Sequence, residues 1–239
     1  MSEEMYIIIP AYNEAANIAR LIKDWYPVIE RHSGDGHSRL VIINDGSKDN
    51  TYELIKEAEK QYPLLEGLTK ANGGHGSAVL YGYRYAIKNN ADYVFQTDSD
   101  NQTNPAEFEQ FWQLRKKYDA VIGNRVHRQD GIQRIMVEKT LLMILQFYYG
   151  VKIPDSNAPY RLMKVELLKK YISKMPSDFN LPNVMLTTYF AYYHEKIKFL
   201  PISFVARQEG TNSINIPKIT KIGWKALGDF RMLKKQMND

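Results

Sequence analysis

The stretch YVFQTDSDNQ, residues 93–102, joins an apolar run to a polar turn that carries two acids. In an extended chain, residues two apart project to the same side, so Asp98 and Asp100 can converge on one point. Mg2+ and Mn2+ prefer such oxygen ligands and can bridge them to a diphosphate. An isolated pair is also typical of an ordinary turn, because Asp side chains bond nearby backbone amides. The surrounding sequence therefore decides between the two interpretations.

Short apolar runs alternate with helical patterns around this stretch. Strands are predicted at 6–9, 40–43, 93–96 and 120–123. This alternation indicates an α/β fold, with a mostly parallel central sheet flanked by helices. The second half is less regular, with a helix predicted at 135–149 and a strand at 199–205.

Composition limits the kinds of protein to consider. The chain has 239 residues, no cysteine and a net charge of +5. The length fits one large domain, and the lack of cysteine excludes disulfides and thiolate metal sites and favours a cytoplasmic location. No signal peptide is expected, and the most apolar segment, 141–149, is shorter than the about 20 residues that a bilayer needs.

Positive charge is concentrated near the C-terminus. Residues 196–239 contain nine lysines and arginines against three acids. Apolar residues at three- and four-residue steps predict a basic amphipathic helix at 216–239, which lies on an anionic membrane surface or packs on its own domain. We expect it to follow a single domain at 1–215, with halves at 1–124 and 125–215.

Four polar motifs follow predicted strands of the first half. They are Pro10–Glu14, Asn44–Ser47, the glycine-rich Asn72–Ser77, and Asp98–Gln102. In an open parallel sheet, ligands bind at the carboxyl ends of the strands, where the connecting loops diverge. The four motifs are therefore expected to share one crevice.

In this order, the motifs at residues 10–14, 44–51 and 98–100 resemble the family 2 glycosyltransferases of GT-A fold. A turn Asp98–Gln102 followed by Pro105, an acid at Asp155 before Tyr160-Arg161-Leu162, and Arg207 before 210–213 resemble the dolichyl-phosphate mannose or glucose synthase-like branch. The resemblance covers residues 5 to about 215. It implies a metal-dependent enzyme that moves a hexose, with inversion, from a nucleoside-diphosphate sugar to an acceptor.

The resemblance also implies roles for single residues. Nucleotide-sugar binding falls to Pro10, Ala11, Tyr12, Glu14, Asn44, Asp45, Gly46, Lys70, Gly73, Gly76 and Asp98. Asp98, Asp100 and Gln102 would hold Mg2+ or Mn2+, and the catalytic set would be Asp98, Asp100, Arg161 and Arg207. The two arginines would face phosphate, whose oxygens match a guanidinium bidentately. Asn44 departs from the family, which usually has an acid there.

The acceptor is inferred from what the second half lacks. A sugar hydroxyl needs a general base, which hydroxyl-glycosylating relatives carry on a helix, but the corresponding segment 180–186 has no acid. A phosphate monoester titrates near about pH 6 and needs no base, which favours a polyprenyl phosphate at a membrane surface. A saccharide acceptor, with Asp155 or Asp178 as base, stays open. So does a catalytically idle nucleotide-binding relative.

Two other classes are disfavoured. The basic residues lack a nucleic-acid recognition motif, so no nucleic-acid partner is expected. The glycine cluster at 72–77 lacks the G-x-G-x-x-G spacing of a Rossmann dehydrogenase.

Overall fold

The computed structural model describes residues 3–34, 36–128, 132–205 and 228–235, without the side chains of 127–128 and 132–134. The strands are β1 Met5–Ala11, β2 Arg39–Asn44, β3 Leu65–Thr69, β4 Tyr93–Thr97, β5 Ala120–Arg128, β6 Tyr160–Lys164 and β7 Ile197–Phe204. The helices are α1 Ala15–Arg31, α2 Thr51–Glu59, α3 His75–Lys88, α4 Phe108–Leu114, α5 Ile132–Tyr149, α6 Val165–Ile172 and α7 Pro182–Tyr192. A 3-10 turn, Pro105–Glu107, precedes α4, and residues 228–235 are helical.

The strands form one seven-stranded sheet in the order β3-β2-β1-β4-β6-β5-β7. Strands β1 to β4 pair in parallel, and so do β5 and β7. Strand β6 lies antiparallel between β4 and β5. The prediction of an α/β fold with a mostly parallel sheet is confirmed.

Alternating side chains of the central strands bury both faces of the sheet. In β1, Ile7 and Ile9 pack with residues of α1 and α4, whereas Ile8 packs on the opposite face with residues of α3, α6 and α7. This follows from the two-residue period of a strand covered by helices on both sides. The carboxyl ends of β1, β2 and β4 therefore meet at one edge of a rigid sheet.

The second half covers the face of the sheet that α3 also covers. Residues Leu145 and Tyr149 of α5 join its core, as do Phe230 and Leu233 of the 228–235 helix. The Tyr149 hydroxyl donates to the Phe230 carbonyl at 2.6 Å, so this described part of the predicted 216–239 helix packs on its own chain. The rest of that predicted helix lies outside the described residues.

Within the described residues, the structure contains no helix that is both long enough and apolar enough to cross a membrane.

Candidate active site

The two acids of the opening stretch lie in a turn directly after β4. Asp98 and Asp100 are partly exposed while Ser99 between them is buried, as the alternation predicts. The Thr97 and Thr103 hydroxyls bond at 2.8 Å across the base of the turn. This bond fixes the turn so that both carboxylates stay at the open edge of the sheet.

Gln102 is held between this turn and the end of β7. Its side-chain nitrogen donates to the Val205 carbonyl at 2.6 Å, and its backbone nitrogen donates to Asp100 Oδ1 at 3.2 Å. The Val205 nitrogen donates in turn to the Gln102 carbonyl at 3.1 Å. Because the side-chain nitrogen is used, the amide oxygen is the atom that would contact a cation.

The oxygen atoms of Asp98, Asp100 and Gln102 fit the preference of Mg2+ and Mn2+ for oxygen ligands. Across the part of the chain that the structure describes, no group of three or more His, Cys, Asp or Glu side chains could hold a metal ion. Mg2+ is usually held by one or two carboxylates and completes its coordination shell with waters and substrate phosphates.

His75, the first residue of α3, contacts the predicted metal ligand Asp98. Its Nε2 lies 2.9 Å from Asp98 Oδ1, and its side chain is 52% exposed. Desolvation lowers the pKa of His75, but the charge and hydrogen bond of Asp98, with Asp100 and Asp45 farther away, raise the pKa above its usual value. The glycine loop and the acidic turn therefore form one electrostatically coupled group.

Asp45 is nearly fully buried and is used inside the protein. Its Oδ1 accepts from Lys70 Nζ at 2.6 Å and from the Gly73 nitrogen at 3.0 Å, and its Oδ2 accepts from the Gly74 nitrogen at 2.7 Å. These bonds fix the glycine loop and engage Lys70. In this arrangement Asp45 holds Lys70 and the glycine loop in place, and its role in nucleotide-sugar binding stays a prediction.

Asn44 and Glu14 are also buried, each with partners in the protein. Asn44 donates to Thr69 Oγ1 at 2.9 Å and accepts from the Ser47 nitrogen at 3.1 Å. An amide can both donate and accept, whereas the ionised acid usual in the family can only accept. Glu14 accepts a hydrogen bond from Asn17 Nδ2 at 2.5 Å.

The remaining first-motif residues divide by exposure. Pro10 and Ala11 are buried at the end of β1, and Tyr12 after them is partly exposed. Tyr12 is therefore partly accessible just past the carboxyl end of β1, whereas Pro10 and Ala11 are enclosed.

The three predicted glycines serve three different purposes. Gly46 has φ of +65°, a left-handed conformation that favours glycine. A Cβ on Gly73 would lie 2.7 Å from Ser77 Oγ and 2.9 Å from Lys70 Nζ. A Cβ on Gly76 would lie 2.3 Å from the Phe179 carbonyl oxygen and 2.5 Å from that of Asn180. Gly76 thus permits close packing between α3 and the segment before α7, and the structure does not place it as a nucleotide contact.

Arg161, which the sequence predicted to face phosphate, is enclosed by protein groups. The residue is fully buried in β6. Its Nε and Nη2 donate to the Ala158 carbonyl at 3.2 and 3.0 Å, and its Nη1 donates to the Asn183 carbonyl at 3.1 Å. The guanidinium therefore ties β6 to the start of α7. Arg207 lies outside the described residues.

Asp155, one of two candidate bases, forms a buried ion pair. Arg125 Nε and Nη2 donate to its two oxygens at 2.7 and 2.8 Å. Burial alone would raise the pKa of Asp155, but the bonds and charge of Arg125 hold that pKa below its usual value. A carboxylate held this way is a weak base. Asp178, the other candidate, is exposed.

Sequence reasoning missed a set of buried polar side chains behind Asp98. Gln96 Nε2 donates to Asp98 Oδ1 at 3.0 Å, and Asn183 Nδ2 donates to Gln96 Oε1 at 2.9 Å. A glutamine within the otherwise apolar strand before the two acids was the available signal, because a buried amide needs partners. Nothing local in the sequence marks Asn183, which is 87 positions from Gln96.

Solved structures share the fold. Glucosyl-3-phosphoglycerate synthase from Mycobacterium tuberculosis, in complex with phosphoglyceric acid, superposes with a TM-score of 0.70 at 16% identity, over 98% of this chain and 80% of that one. S. aureus TarS with UDP-GlcNAc gives a TM-score of 0.63 at 18% identity, over 92% of this chain and 64% of that one. These matches show the GT-A fold.

Curated sequences show similar relatives at low identity. An uncharacterised protein of Methanocaldococcus jannaschii is 29% identical over 69% of this chain and 73% of its own length. The undecaprenyl-phosphate 4-deoxy-4-formamido-L-arabinose transferase of Pectobacterium carotovorum is 25% identical over 82% of this chain, which spans 54% of that protein. Residues 6–172, more than half of the chain, match the family model described as glycosyl transferase family 2. The chain therefore belongs to glycosyl transferase family 2 and is a glycosyltransferase.

Proposed function

We propose that this chain is a metal-dependent inverting glycosyltransferase that moves a hexose from a nucleoside-diphosphate sugar to a polyprenyl phosphate. The observation that carries the proposal is the fixed turn that presents Asp98 and Asp100, with Gln102 beside them, at the carboxyl edge of the sheet. Ligands of open α/β folds bind at this edge.

The donor side rests on the chemistry of that turn. Asp98, Asp100 and the Gln102 amide oxygen would hold Mg2+ or Mn2+, which when bound supplies positive charge against the leaving diphosphate. A similar structure, the M. tuberculosis synthase, is a complex with Mn2+ and UDP-glucose. The ring of Tyr12 and the backbone near Gly46 border the space where a nucleoside would bind.

The transfer is a single displacement. An oxygen of the acceptor phosphate forms a bond to the anomeric carbon, while the bond from that carbon to the diphosphate breaks and its electron pair leaves with the diphosphate. Attack opposite the leaving group inverts the anomeric centre. Because a phosphate monoester is already an anion at neutral pH, no residue has to remove a proton.

The choice of a polyprenyl phosphate has two supports. The P. carotovorum relative is named as an undecaprenyl-phosphate transferase. Asp155, whose place in the sequence suggested a base, is instead bound to Arg125 with a lowered pKa. Both observations favour an acceptor that needs no base, and they support placing the chain in the branch that includes the dolichyl-phosphate mannose and glucose synthases.

A membrane contact would bring such an acceptor to the site. Met136, Met143 and Phe147 are 63%, 63% and 86% exposed, and their spacing along α5 places them on one face with Thr140. Lys139, also exposed, flanks this face. An exposed apolar stripe of this kind suits the surface of a bilayer. We therefore propose peripheral binding, with α5 toward the lipid.

A saccharide acceptor is the second candidate, and one observation favours it. Asp178 is exposed and lies shortly before α7, so its carboxylate is accessible to a hydroxyl. Under this alternative, Asp178→Asn abolishes transfer while nucleotide binding survives.

The experiment that tests the proposal supplies both kinds of acceptor. The protein is incubated with Mn2+, labelled UDP- and GDP-hexoses, and either undecaprenyl phosphate or an oligosaccharide mixture. We expect label in the organic extract, lost in Asp100→Asn and retained in Asp178→Asn. Label that appears only in water-soluble glycan would replace the polyprenyl acceptor with a saccharide. No transfer and no hydrolysis with any acceptor would indicate an idle nucleotide-binding relative.

A further inference from the structure

A continuous chain of hydrogen bonds runs from the core of the protein to Asp98. It begins at Tyr83 in α3, whose hydroxyl donates to Asn183 Oδ1 at 3.0 Å. Asn183 Nδ2 donates to Gln96 Oε1 at 2.9 Å, and Gln96 Nε2 donates to Asp98 Oδ1 at 3.0 Å. The chain joins α3, α7 and β4, so it connects both halves of the protein.

The bonds of this chain all run in one direction. An ionised carboxylate only accepts, so Asp98 requires the NH2 group of Gln96. The Gln96 oxygen then faces Asn183, which must present its own NH2 group, and the Asn183 oxygen is left to accept from Tyr83. Burial raises the pKa of the Tyr83 hydroxyl, which keeps its proton available for this bond. Each amide orientation is thus determined by the charge on Asp98.

The three side chains behind Asp98 are enclosed in the core. Tyr83 and Gln96 are fully buried, and Asn183 is 2% exposed. In a low-dielectric interior a hydrogen bond is stronger than in water, and a polar atom without a partner is costly. The three side chains therefore cannot exchange their partners for solvent. A single orientation of the Asp98 carboxylate is favoured as a result.

We propose that Gln96 and Asn183 are positioning residues that hold the Asp98 carboxylate in the orientation required for binding the metal and diphosphate. Asn183 also links α7, on the acceptor side, to this carboxylate. The inference rests on the proposed function, because it assigns the two amides to the same donor site. Neither residue touches the substrate, so both act through Asp98.

Asn183→Asp tests the direction in which these hydrogen bonds are donated. The substituted carboxylate still accepts from Tyr83 but cannot donate to Gln96. Gln96 then turns its nitrogen toward the new carboxylate and presents its oxygen to Asp98, which repels that oxygen. Gln96→Met removes the hydrogen bond from Gln96 to Asp98 without adding a charge, and it serves as a second variant where Asn183→Asp folds poorly. Thr188→Val is the matched control, because Thr188 is buried on the same helix and bonds only within it, to the Val184 carbonyl.

The measurement is a calorimetric titration of Mn2+ into protein with a fixed excess of UDP, repeated with GDP, CDP and dTDP. We expect the Mn2+ midpoint to rise about tenfold in Asn183→Asp and in Gln96→Met, since a hydrogen bond to a charged group is lost. Thr188→Val should keep the wild-type midpoint. Irreversible loss of part of the sample lowers only the amplitude of binding. Reversible unfolding would raise the midpoint by mass action, so circular dichroism at the titration temperature must show each variant fully folded.

Three outcomes are decisive. An Mn2+ midpoint that rises in both Asn183→Asp and Gln96→Met, and stays unchanged in Thr188→Val, supports the positioning role. Unchanged midpoints in both variants overturn it while leaving the proposed function intact. Absence of Mn2+-dependent binding of every nucleotide to the wild-type protein overturns the proposed function, and the positioning role falls with it.

Discussion

The two halves of the molecule use their polar residues in different ways. In the first half, Asp98, Asp100 and His75 reach solvent at the ends of strands and helices, although Asp45 behind them is buried. In the second half, Arg161 and Asp155 are buried and bonded within the protein. The open edge of a parallel sheet leaves side chains for ligands, whereas the antiparallel strand β6 and the helices around it enclose theirs. A charged residue in a family motif can therefore be part of the scaffold.

The largest expected effect comes from removing Arg161. Arg161→Ala removes the guanidinium that donates to the Ala158 carbonyl and one of the donors to the Asn183 carbonyl, and it opens a cavity, so we expect a loss of about 3 kcal/mol or more in the free energy of unfolding. Urea unfolding measures this loss. Lys169→Ala, at an exposed ion pair with Glu166, is the control and should change stability by less than about 0.5 kcal/mol. A stable Arg161→Ala protein that has lost only transfer activity would return Arg161 to phosphate binding.

Asp155→Asn is expected to be nearly as destabilising at neutral pH, by about 3 kcal/mol, because it removes the carboxylate that both Nε and Nη2 of the buried Arg125 bond, while Glu138 stays 3.7 Å from Nη2. The folded pKa of Asp155 lies below its unfolded value of about 3.9, so this stabilisation is present above that pH and is lost as pH falls through the folded pKa. Unfolding of both proteins from pH 7 to pH 2.5 measures the difference. A difference that does not shrink in acid would show that packing, and not charge, dominates.

Asp100→Asn is expected to lower activity and leave stability nearly unchanged, because Asp100 is partly exposed. The amide keeps an oxygen that can accept from the Gln102 nitrogen, so the turn and the stability should change little. Loss of the negative charge should lower Mn2+-dependent transfer by at least about 100-fold, or about 2.7 kcal/mol. Transfer assays and thermal melts run together measure both quantities. A large fall in melting temperature would place Asp100 with the scaffold residues.

The first half was the more predictable from sequence, for a physical reason. Its apolar runs are buried on both faces and are followed by short loops, so the pattern indicates both the strands and the edge where Asp98 and Asp100 lie. These features are local in sequence. The parallel sheet and the position of the acidic turn could therefore be predicted without a structure.

The second half depends on contacts between distant residues. Strand β6 is a short segment whose place between β4 and β5 is set by long-range pairing, and it was not predicted as a strand. Arg161 was assigned to phosphate by motif, whereas in the structure it is buried and donates to backbone carbonyls. Such partners come from neighbours in space, which a single sequence does not show.

The smallest effect is expected where the two halves meet, at Gly76. Its added Cβ in Gly76→Ala would overlap the Phe179 and Asn180 carbonyl oxygens, and backbone atoms can yield only by moving α3 or the segment before α7. We expect a loss of about 2 kcal/mol, typical of overpacking. Gly228→Ala is the matched control, since no atom of the described residues lies within 4 Å of its added Cβ and alanine favours a helix.

Gly76→Ala also tests whether the packing of α3 against the segment before α7 affects the donor site. Gly76 follows His75, which contacts Asp98, so a displaced start of α3 should raise the Mn2+ midpoint for nucleotide binding as well as lower stability. Calorimetry on Gly76→Ala and Gly228→Ala measures this. A stability loss with an unchanged midpoint would show that the first half holds its acids independently. A raised midpoint would show that close packing against the second half helps to set the geometry at Asp98.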